Sequence, residues 1–296
     1  MIKDLSIFFK KETLVMGGLG FSAGLPIMLV FSTLSVWLVK AGVERSTVTL
    51  FSWAGFAYSF KFLWSPIVDK FRLPILNQYG HRRSWLFFSQ ILIIISILLA
   101  SLSDPQKNLS FMAISIVLIA FSSATQDIII DAFRIESAPE KKQGPLASMY
   151  LAGYRVAMIV SGAGSLWLAS HFSGSVYQLE VWKNVYQIIS LFMLIGLIST
   201  FFAKEPLMLK KNNIKNFEQI KFTVSTVSSI VIFFIVYLSI PAINELNYFL
   251  SFLLNLVKIL LSFMSSLFFL FIMEKINFLP KKQSREIFIG PILDFF

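Results

Sequence analysis

The residues whose types and spacing could carry chemistry are concentrated in residues 122–136, which read S-S-A-T-Q-D-I-I-I-D-A-F-R-I-E. This stretch directly follows the apolar run 109–121. On a helix, Asp127 and Asp131 are four residues apart and face one way, and Gln126 lies beside them. Acids inside a membrane span are costly unless they face protein or water, and they commonly mark ion or proton pathways. The pattern predicts a proton-handling site, or else a helix end whose acids meet the membrane interface.

Two cations accompany these acids at a similar predicted depth. Lys61 and Arg155 fall within apolar stretches, roughly 5–14 Å below the membrane boundary if a helix rises 1.5 Å per residue. Cations and carboxylates at one level favour a buried ionic cluster that includes Lys61, Asp127 and Asp131. The alternative for Lys61 is that its long side chain reaches back to the interface. The alternative for Asp127 is a static pair with Arg155 that joins two spans.

The remaining composition argues against several classes of chemistry. The 296 residues include no cysteine and two histidines, His81 and His171, which are far apart in sequence. A disulfide framework, thiol chemistry and a metal centre are therefore not expected. Neither a G-x-x-x-x-G-K-[ST] phosphate loop nor an H-E-x-x-H motif is present, and we expect no cofactor. We do not expect an enzyme, because no His/Asp or Ser/His constellation lies at a predicted membrane face.

The elements that must position these residues are membrane-spanning helices. The chain is 56% hydrophobic and 14% charged, and its mean hydropathy is +0.74. Several stretches reach the roughly 20 apolar residues that a bilayer span requires. We predict an all-α, polytopic membrane protein with eight spans. The predicted spans are 14–39, 47–68, 84–101, 109–130, 146–170, 182–203, 222–243 and 247–273.

The distribution of Lys and Arg predicts the orientation of these spans. The N-terminal segment, the even-numbered loops and the C-terminal tail together carry 19 basic residues, whereas the opposite loops carry 4. Because cytoplasmic loops are enriched in Lys and Arg, both termini are predicted to be cytoplasmic. The same distribution accounts for the net charge of +10 without nucleic acid as a partner.

Small residues predict close helix packing in the first and fifth spans. Gly20 and Gly24 form a G-x-x-x-G pair, which lets another helix approach closely, and Pro26 can bend the same span. The fifth span has small residues at every fourth position, at Gly153, Ala157, Ser161, Ser165 and Ala169. This smooth face is consistent with tight static packing, and also with a helix that moves during transport.

Five stretches, taken in order, resemble the AmpG-type muropeptide permeases. They are G-F-S-A-G-L-P-I-M-L-V-F-S-T-L-S-V-W-L-V-K-A-G-V at 20–43, K-F-L-W-S-P-I-V-D at 61–69, G-H-R-R-S-W-L at 80–86, A-T-Q-D-I-I-I-D-A-F-R-I-E at 124–136 and G-Y-R-V-A-M-I-V-S-G-A-G-S-L-W-L-A at 153–169. The resemblance covers residues 17 to about 205. Its order and spacing make it specific.

The resemblance implies a member of the major facilitator superfamily in the bacterial inner membrane. It further implies import of anhydro-muropeptides from periplasm to cytoplasm for cell-wall recycling, driven by protons. By resemblance, Gly24, Ala124 and Gln126 fall on positions tied to substrate transport. We expect Arg155, a cation within the fifth span, to belong to the same set. Also by resemblance, Asp69, Arg82 and Arg83 belong to the gating loop between the second and third spans.

The resemblance also predicts the domain organisation. Residues 1–203 are expected to form the N-terminal six-helix half of a transporter, followed by a basic cytoplasmic linker at 204–221, two additional spans at 222–273 and a cytoplasmic tail at 274–296. A full transporter has two halves with the substrate between them, and the tail resembles the lead-in to a second half. The chain is expected to work as a proton-coupled importer, either with a separately encoded second half or as an oligomer. The alternative is a truncated, non-transporting remnant.

Overall fold

The computed structural model describes residues 2–73, 76–174, 176–206, 216–241 and 248–279. In these ranges the chain is helical and contains no β-strand. Six segments of the described chain are long and apolar enough to cross a membrane. They are Lys11–Lys40, His81–Leu102, Leu109–Ser137, Glu140–Ser173, Leu179–Phe202 and Leu253–Lys275. The prediction of an all-α, polytopic membrane protein is confirmed.

The α-helices follow one another along the chain with short connections between most of them. They are α1 (Lys11–Met28), α2 (Leu34–Lys40), α3 (Arg45–Leu50), α4 (Phe56–Ser59), α5 (Ser65–Lys70), α6 (His81–Leu102), α7 (Leu109–Ser137), α8 (Glu140–Ile159), α9 (Ser165–Ser173), α10 (Leu179–Phe192), α11 (Leu194–Phe202), α12 (Asn216–Ser239) and α13 (Tyr248–Lys275). Short 3₁₀ segments occupy Ile2–Phe9, Phe51–Gly55, Lys61–Leu63 and Asn77–Tyr79, and π-helical turns occupy Leu29–Thr33 and Val160–Gly164.

The segment predicted as the second span, 47–68, is not a single helix. It is built from α3, α4, α5 and two 3₁₀ segments. Pro66 lies in the first turn of α5 and has no N–H to donate to the carbonyl oxygen of Phe62, four residues earlier. That carbonyl instead accepts a hydrogen bond from Ser65 Oγ at 3.3 Å. The prediction of one continuous span used the hydropathy of the segment, which does not indicate where a helix is interrupted.

The glycines of α1 bring its backbone against α8, as the G-x-x-x-G pair predicted. A Cβ atom at Gly20 would meet the backbone carbonyl of Tyr150, and one at Gly24 would meet that of Tyr154. The approach is reciprocal, because a Cβ at Gly153 would meet the backbone of α1. In a bilayer, helices associate through such close packing rather than through the hydrophobic effect.

Two π-helical turns face each other where α1 continues into α2 and α8 into α9. A π turn leaves carbonyl groups without their usual partners, and neighbouring hydroxyl groups satisfy them. Thr33 Oγ1 donates to the carbonyl of Ser161 at 2.7 Å. Tyr186 Oη donates to the carbonyl of Leu29 at 3.0 Å. The irregularity lies just after Pro26, where the sequence predicted a bend.

Two buried apolar clusters fill the interior of the helix bundle in residues 1–210, one near each end of its helices. One contains Trp37, whose ring stacks on that of Trp182 with 5.9 Å between centroids. The other contains Met16, Leu86 and Ile129. The buried polar residues of α6 and α7 lie between and beside these clusters.

The chain divides into two compact units, residues 1–210 and 211–296. In the second unit, α12 and α13 pack together through a hydrogen bond of 2.5 Å between the hydroxyls of Ser229 and Ser266. Lys258 Nζ lies 4.2 Å from the centroid of the Tyr237 ring. Half of the predicted linker 204–221 (residues 207–215) and most of the predicted tail 274–296 (residues 280–296) lie outside the described residues.

Candidate functional site

A partly buried ion pair joins α7 to the broken segment 45–70, which contains α3, α4 and α5. Lys61 Nζ lies 3.9 Å from Asp127 Oδ2, and the side chains are 34% and 14% exposed, respectively. This distance is longer than a hydrogen bond, so the contact is purely ionic. The structure therefore brings together two of the residues that the sequence placed at one depth. Oδ1 of Asp127 is buried and makes no hydrogen bond within the described part of the chain.

The other two charged residues predicted at this level lie apart from the pair. Asp131 is half exposed and its Oδ1 lies 3.5 Å from Arg134 Nη2 on the same helix. Arg155 is exposed on α8, where its Nη1 lies 3.8 Å from Met158 Sδ. A static pair between Asp127 and Arg155 is not formed. The reason is helical geometry. Gly153 faces α1, and Arg155, two residues later on α8, lies on a different face of the helix.

Three tyrosine hydroxyls and one serine hydroxyl lie near Asp127, and the sequence analysis did not identify them. Tyr58, Tyr150 and Tyr154 lie close enough to Asp127 to interact with its charge. Ser123 is one helical turn before Asp127, is fully buried and lies beside the Tyr58 hydroxyl. The signal in the sequence was the i, i+4 spacing of Ser123 and Asp127, which places both on one face of α7.

Gln126 points away from the ion pair and into the centre of the helix bundle. Its Nε2 donates to Ser22 Oγ on α1 at 2.7 Å, and Ser22 in turn donates to the carbonyl of Leu19 at 2.8 Å. A second buried pair lies close by, in which Thr200 Oγ1 donates to Gln90 Oε1 at 2.9 Å. These contacts link α1 to α7 and α6 to α11.

Two further positions implied by the resemblance are packing positions. Ala124 is fully buried in α7. Gly24 touches the backbone of α8. A larger side chain at either position would therefore change how α1, α7 and α8 fit together.

A charged cluster centred on Arg82 lies at the start of α6. Arg82 is 4% exposed. Its Nη1 donates to Asp69 Oδ1 at 2.6 Å, and its Nε and Nη2 donate to the two oxygens of Glu136 at 3.0 and 2.6 Å. A two-pronged contact of this kind is among the stronger hydrogen-bonded ion pairs in proteins. The structure thus brings Asp69 and Arg82 together and adds Glu136, the last residue of the α7 motif.

Arg83 has a different set of partners. Its Nη2 donates to the carbonyl of Phe201 at 3.0 Å and its Nε to that of Thr200 at 3.3 Å, at the end of α11. Glu205 completes this junction: its two carboxylate oxygens accept from the backbone N–H groups of Arg82 and Arg83 at 2.8 and 3.0 Å. A carboxylate at a helix N-terminus satisfies free donors and complements the helix dipole. Glu205 was not predicted, because it follows α11 and is distant from α6 in sequence.

A cavity of about 510 Å³ opens beside this junction. Its walls include the apolar side chains of Met16, Phe133 and Phe202, and Glu136 and Glu205 lie at its margin. The two acids are already engaged by Arg82 and by the first turn of α6. Among the described residues, no group of three His, Asp or Glu side chains is placed to hold a metal ion.

The arrangement of a six-segment helix bundle with a buried ion pair and a charged cluster at one end is typical of secondary transporters. The sequence pattern of the Major Facilitator Superfamily matches residues 16–285. The chain belongs to the Major Facilitator Superfamily.

Within this superfamily, the chain is similar to the AmpG-type permeases. The chain is 37% identical over 202 residues to the anhydromuropeptide permease of Escherichia coli (strain K12), an alignment that covers 68% of this chain and 39% of the relative. It is 37% identical over 161 residues to putative transporter AmpG 4 of Rickettsia felis, covering 54% of this chain and 39% of that protein. It is 34% identical over 200 residues to putative transporter AmpG 3 of Rickettsia typhi, covering 67% and 46%. The AmpG resemblance is confirmed, and the chain spans less than half the length of these relatives.

Proposed function

We propose that this chain supplies one half of a proton-driven importer that carries anhydro-muropeptides across the inner membrane from periplasm to cytoplasm. The observation that carries the proposal is the Lys61–Asp127 pair, set inside a helix bundle that is 37% identical to an anhydromuropeptide permease. The class of the protein argues for transport rather than catalysis. Cell-wall recycling is the process that such import would serve.

The ion pair can couple protons to movement because its two charges depend on each other. Removing one partner of a buried pair leaves the other charge uncompensated, at a cost of several kcal/mol. Protonation of Asp127 would therefore change the relative free energies of conformations that bury or expose Lys61. A proton that binds one conformation better than another shifts the balance between them. Asp131, which is half exposed and paired with Arg134, is placed to exchange protons with water near the same helix.

Such an importer needs a second six-helix half beside the one that residues 1–210 form. Substrate sites in transporters of this kind lie between two repeats near the middle of the membrane. Residues 1–210 form one compact unit, and the exposed face of α8 includes Arg155. A guanidinium on that face can bind a carboxylate of the peptide part of the substrate. Gln126, Ala124 and Gly24 then hold α7, α1 and α8 in the geometry that presents this face.

The Arg82 cluster is proposed to hold the cytoplasmic end of this half together. The proposed orientation, with both termini in the cytoplasm, rests on the excess of Lys and Arg in the loops at that end. Arg82 ties α5, α6 and α7 together through Asp69 and Glu136. Breaking one of these contacts would let the inner ends of the helices separate, as opening to the cytoplasm requires.

The test is uptake by the full chain reconstituted with the second half of the Escherichia coli permease. Proteoliposomes would be loaded so that the pH gradient is inward, and labelled anhydro-muropeptide uptake would be compared with and without the gradient. We expect gradient-driven uptake in the wild type and its loss in Asp127→Asn, with substrate exchange retained. Glu140→Gln, at an exposed position at the start of α8, is the matched control and should keep the uptake.

Two results would contradict the proposal. Equal uptake with and without the gradient in the wild type would remove proton coupling. A correctly folded pair of halves that neither transports nor exchanges the substrate would favour the alternative of a non-transporting membrane protein.

A further inference from the structure

Three polar atoms next to the ion pair share a buried position and have no hydrogen-bond partner in the part of the chain that the structure describes. They are Tyr58 Oη, Ser123 Oγ and Asp127 Oδ1. The Tyr58 hydroxyl lies beside Ser123 and within electrostatic range of Asp127, and Ser123 lies on the same face of α7 as Asp127. Each polar atom buried without a partner costs about 1–3 kcal/mol. Tyr58 Oη and Ser123 Oγ are neighbours without a well-formed hydrogen bond, and Asp127 lies one turn further along α7, so one small polar molecule between them would satisfy all three atoms.

The position of the two hydroxyls relative to the ion pair is informative. Tyr58 precedes Lys61 by three residues, and Ser123 precedes Asp127 by four. Each hydroxyl therefore lies about one helical turn closer to the start of its own segment than the charged residue does. In the proposed orientation the start of both segments is the periplasmic side, from which the driving proton arrives.

We infer that Tyr58 and Ser123 bind a water molecule that bridges them to Asp127 Oδ1 and relays protons to that carboxylate. The inference rests on the proposed role of Asp127 as the coupling acid. A water molecule fits because it can accept from one hydroxyl while donating to the carboxylate, and a buried water typically has two to four polar partners. A metal cation fits poorly, since the Lys61 ammonium already lies 3.9 Å from Asp127 Oδ2.

The relay delivers one proton to Asp127 and leaves the water and both hydroxyls as they began. The bridging water gives a proton to Asp127 Oδ1, which becomes a neutral carboxylic acid. As the water loses its proton, the Ser123 hydroxyl passes its own proton to the water and accepts one from the periplasmic side in the same step, so no alkoxide forms. Tyr58 donates its hydroxyl hydrogen bond to the water throughout and so acts as a positioning residue.

The experiment is infrared difference spectroscopy on the full chain in detergent, which needs no transport. The first measurement is the O–H stretch of a buried water, identified by its shift when the solvent is exchanged for H₂¹⁸O. The second is the rate at which the carboxylic acid C=O band of Asp127 appears after a drop in pH, with Asp127→Asn used to assign the band. The variants are Tyr58→Phe, which keeps the ring, and Ser123→Ala.

Matched controls test whether any loss of a nearby hydroxyl has the same effect. Ser122→Ala removes the neighbouring hydroxyl, which donates to the carbonyl of Leu118 at 2.6 Å, and Tyr154→Phe removes another hydroxyl near Asp127. We expect the water band to disappear in both test variants and to remain in both controls. Protonation of Asp127 should slow by about tenfold in the test variants, the ratio that corresponds to the loss of roughly one hydrogen bond.

Each other outcome overturns the inference. An unchanged water band in Tyr58→Phe and Ser123→Ala would exclude the water site. Loss of the band without slower protonation would exclude the relay, and so would a wild type in which Asp127 produces no carboxylic acid band. Failure of the proposed function is seen separately, as uptake that does not respond to the pH gradient.

Discussion

Arg82 holds both oxygens of Glu136, with Nε 3.0 Å from Oε2 and Nη2 2.6 Å from Oε1. The contact joins the first turn of α6 to the last turn of α7, two segments that are 54 residues apart along the chain. Because the arginine side chain is only 5% exposed, solvent cannot replace its partner. Arg82 therefore links α6 to α7 at this end of the bundle, next to the contacts that Arg83 and Glu205 make with the end of α11 and the start of α6.

Replacing Glu136 should weaken the bundle more than replacing an exposed acid. Glu136→Gln leaves Arg82 with Asp69 as its remaining anion, so we expect a loss below the about 3–5 kcal/mol that follows when a buried charge loses its only partner. We expect a lower midpoint of thermal unfolding in detergent. Glu140→Gln, at an exposed position in the first turn of α8, is the control. Equal midpoints for the two variants would contradict the role given to Glu136.

Replacing Glu205 should loosen the start of α6 without disturbing the rest of the helix. The Glu205 carboxylate accepts from the N–H groups of Arg82 and Arg83, and loss of such a cap costs about 0.5–2 kcal/mol. Hydrogen exchange of those two amides should be faster in Glu205→Ala than in the wild type. Exchange near the middle of α6 should not change. Glu180→Ala removes an acid that is 77% exposed and should leave both regions unchanged.

The G-x-x-x-G contact predicts that even one added methyl group at Gly24 is harmful. A Cβ atom there would clash with the Tyr154 backbone, and overpacking of this kind costs about 1–3 kcal/mol. Gly144→Ala is the matched control, because a Cβ at Gly144 meets nothing within 4 Å. Yield and thermal stability in detergent should fall for Gly24→Ala and hold or rise slightly for Gly144→Ala. The reverse order would mean that α1 and α8 are not in backbone contact.

The orientation proposed from the basic residues can be checked with reporter fusions. Fusions at Asp104 and Ser173 should report a periplasmic location, and a fusion at Lys141 should report the cytoplasm. These sites follow α6, end α9 and begin α8, respectively. A cytoplasmic signal at Ser173 would show that the count of Lys and Arg does not set the topology.

The sequence predicted the helical class, the close approach at Gly24 and the meeting of Lys61 with Asp127. These follow from local quantities: hydropathy, residue size and position along a span. It did not predict the breaks in 45–70, because hydropathy averages over the residues whose backbone bonds are lost at Pro66. It also missed Glu205, because a cap supplied from a distant segment leaves no periodic signal. The alternative pair of Asp127 with Arg155 is not formed, and the sequence could not decide this for a related reason. Position along a span does not reveal which face of α8 a residue occupies, since that face depends on the packing partner.

The Lys61–Asp127 pair should show a measurable coupling energy in a double-mutant cycle. If the pair is a real interaction, Asp127→Asn alone should destabilise the fold by leaving the Lys61 ammonium partly buried without its anion. Lys61→Met alone should do the same to the carboxylate. The double variant Lys61→Met/Asp127→Asn should lose less than the two single losses added together, because neither charge remains.

Lys61 is 34% exposed and 3.9 Å from its partner. We therefore expect a coupling energy between the roughly 1 kcal/mol of exposed pairs and the about 3–5 kcal/mol of fully buried ones. Unfolding in detergent would measure the coupling energy. If the losses of the two single variants simply add up, the two side chains are neighbours that do not stabilise each other.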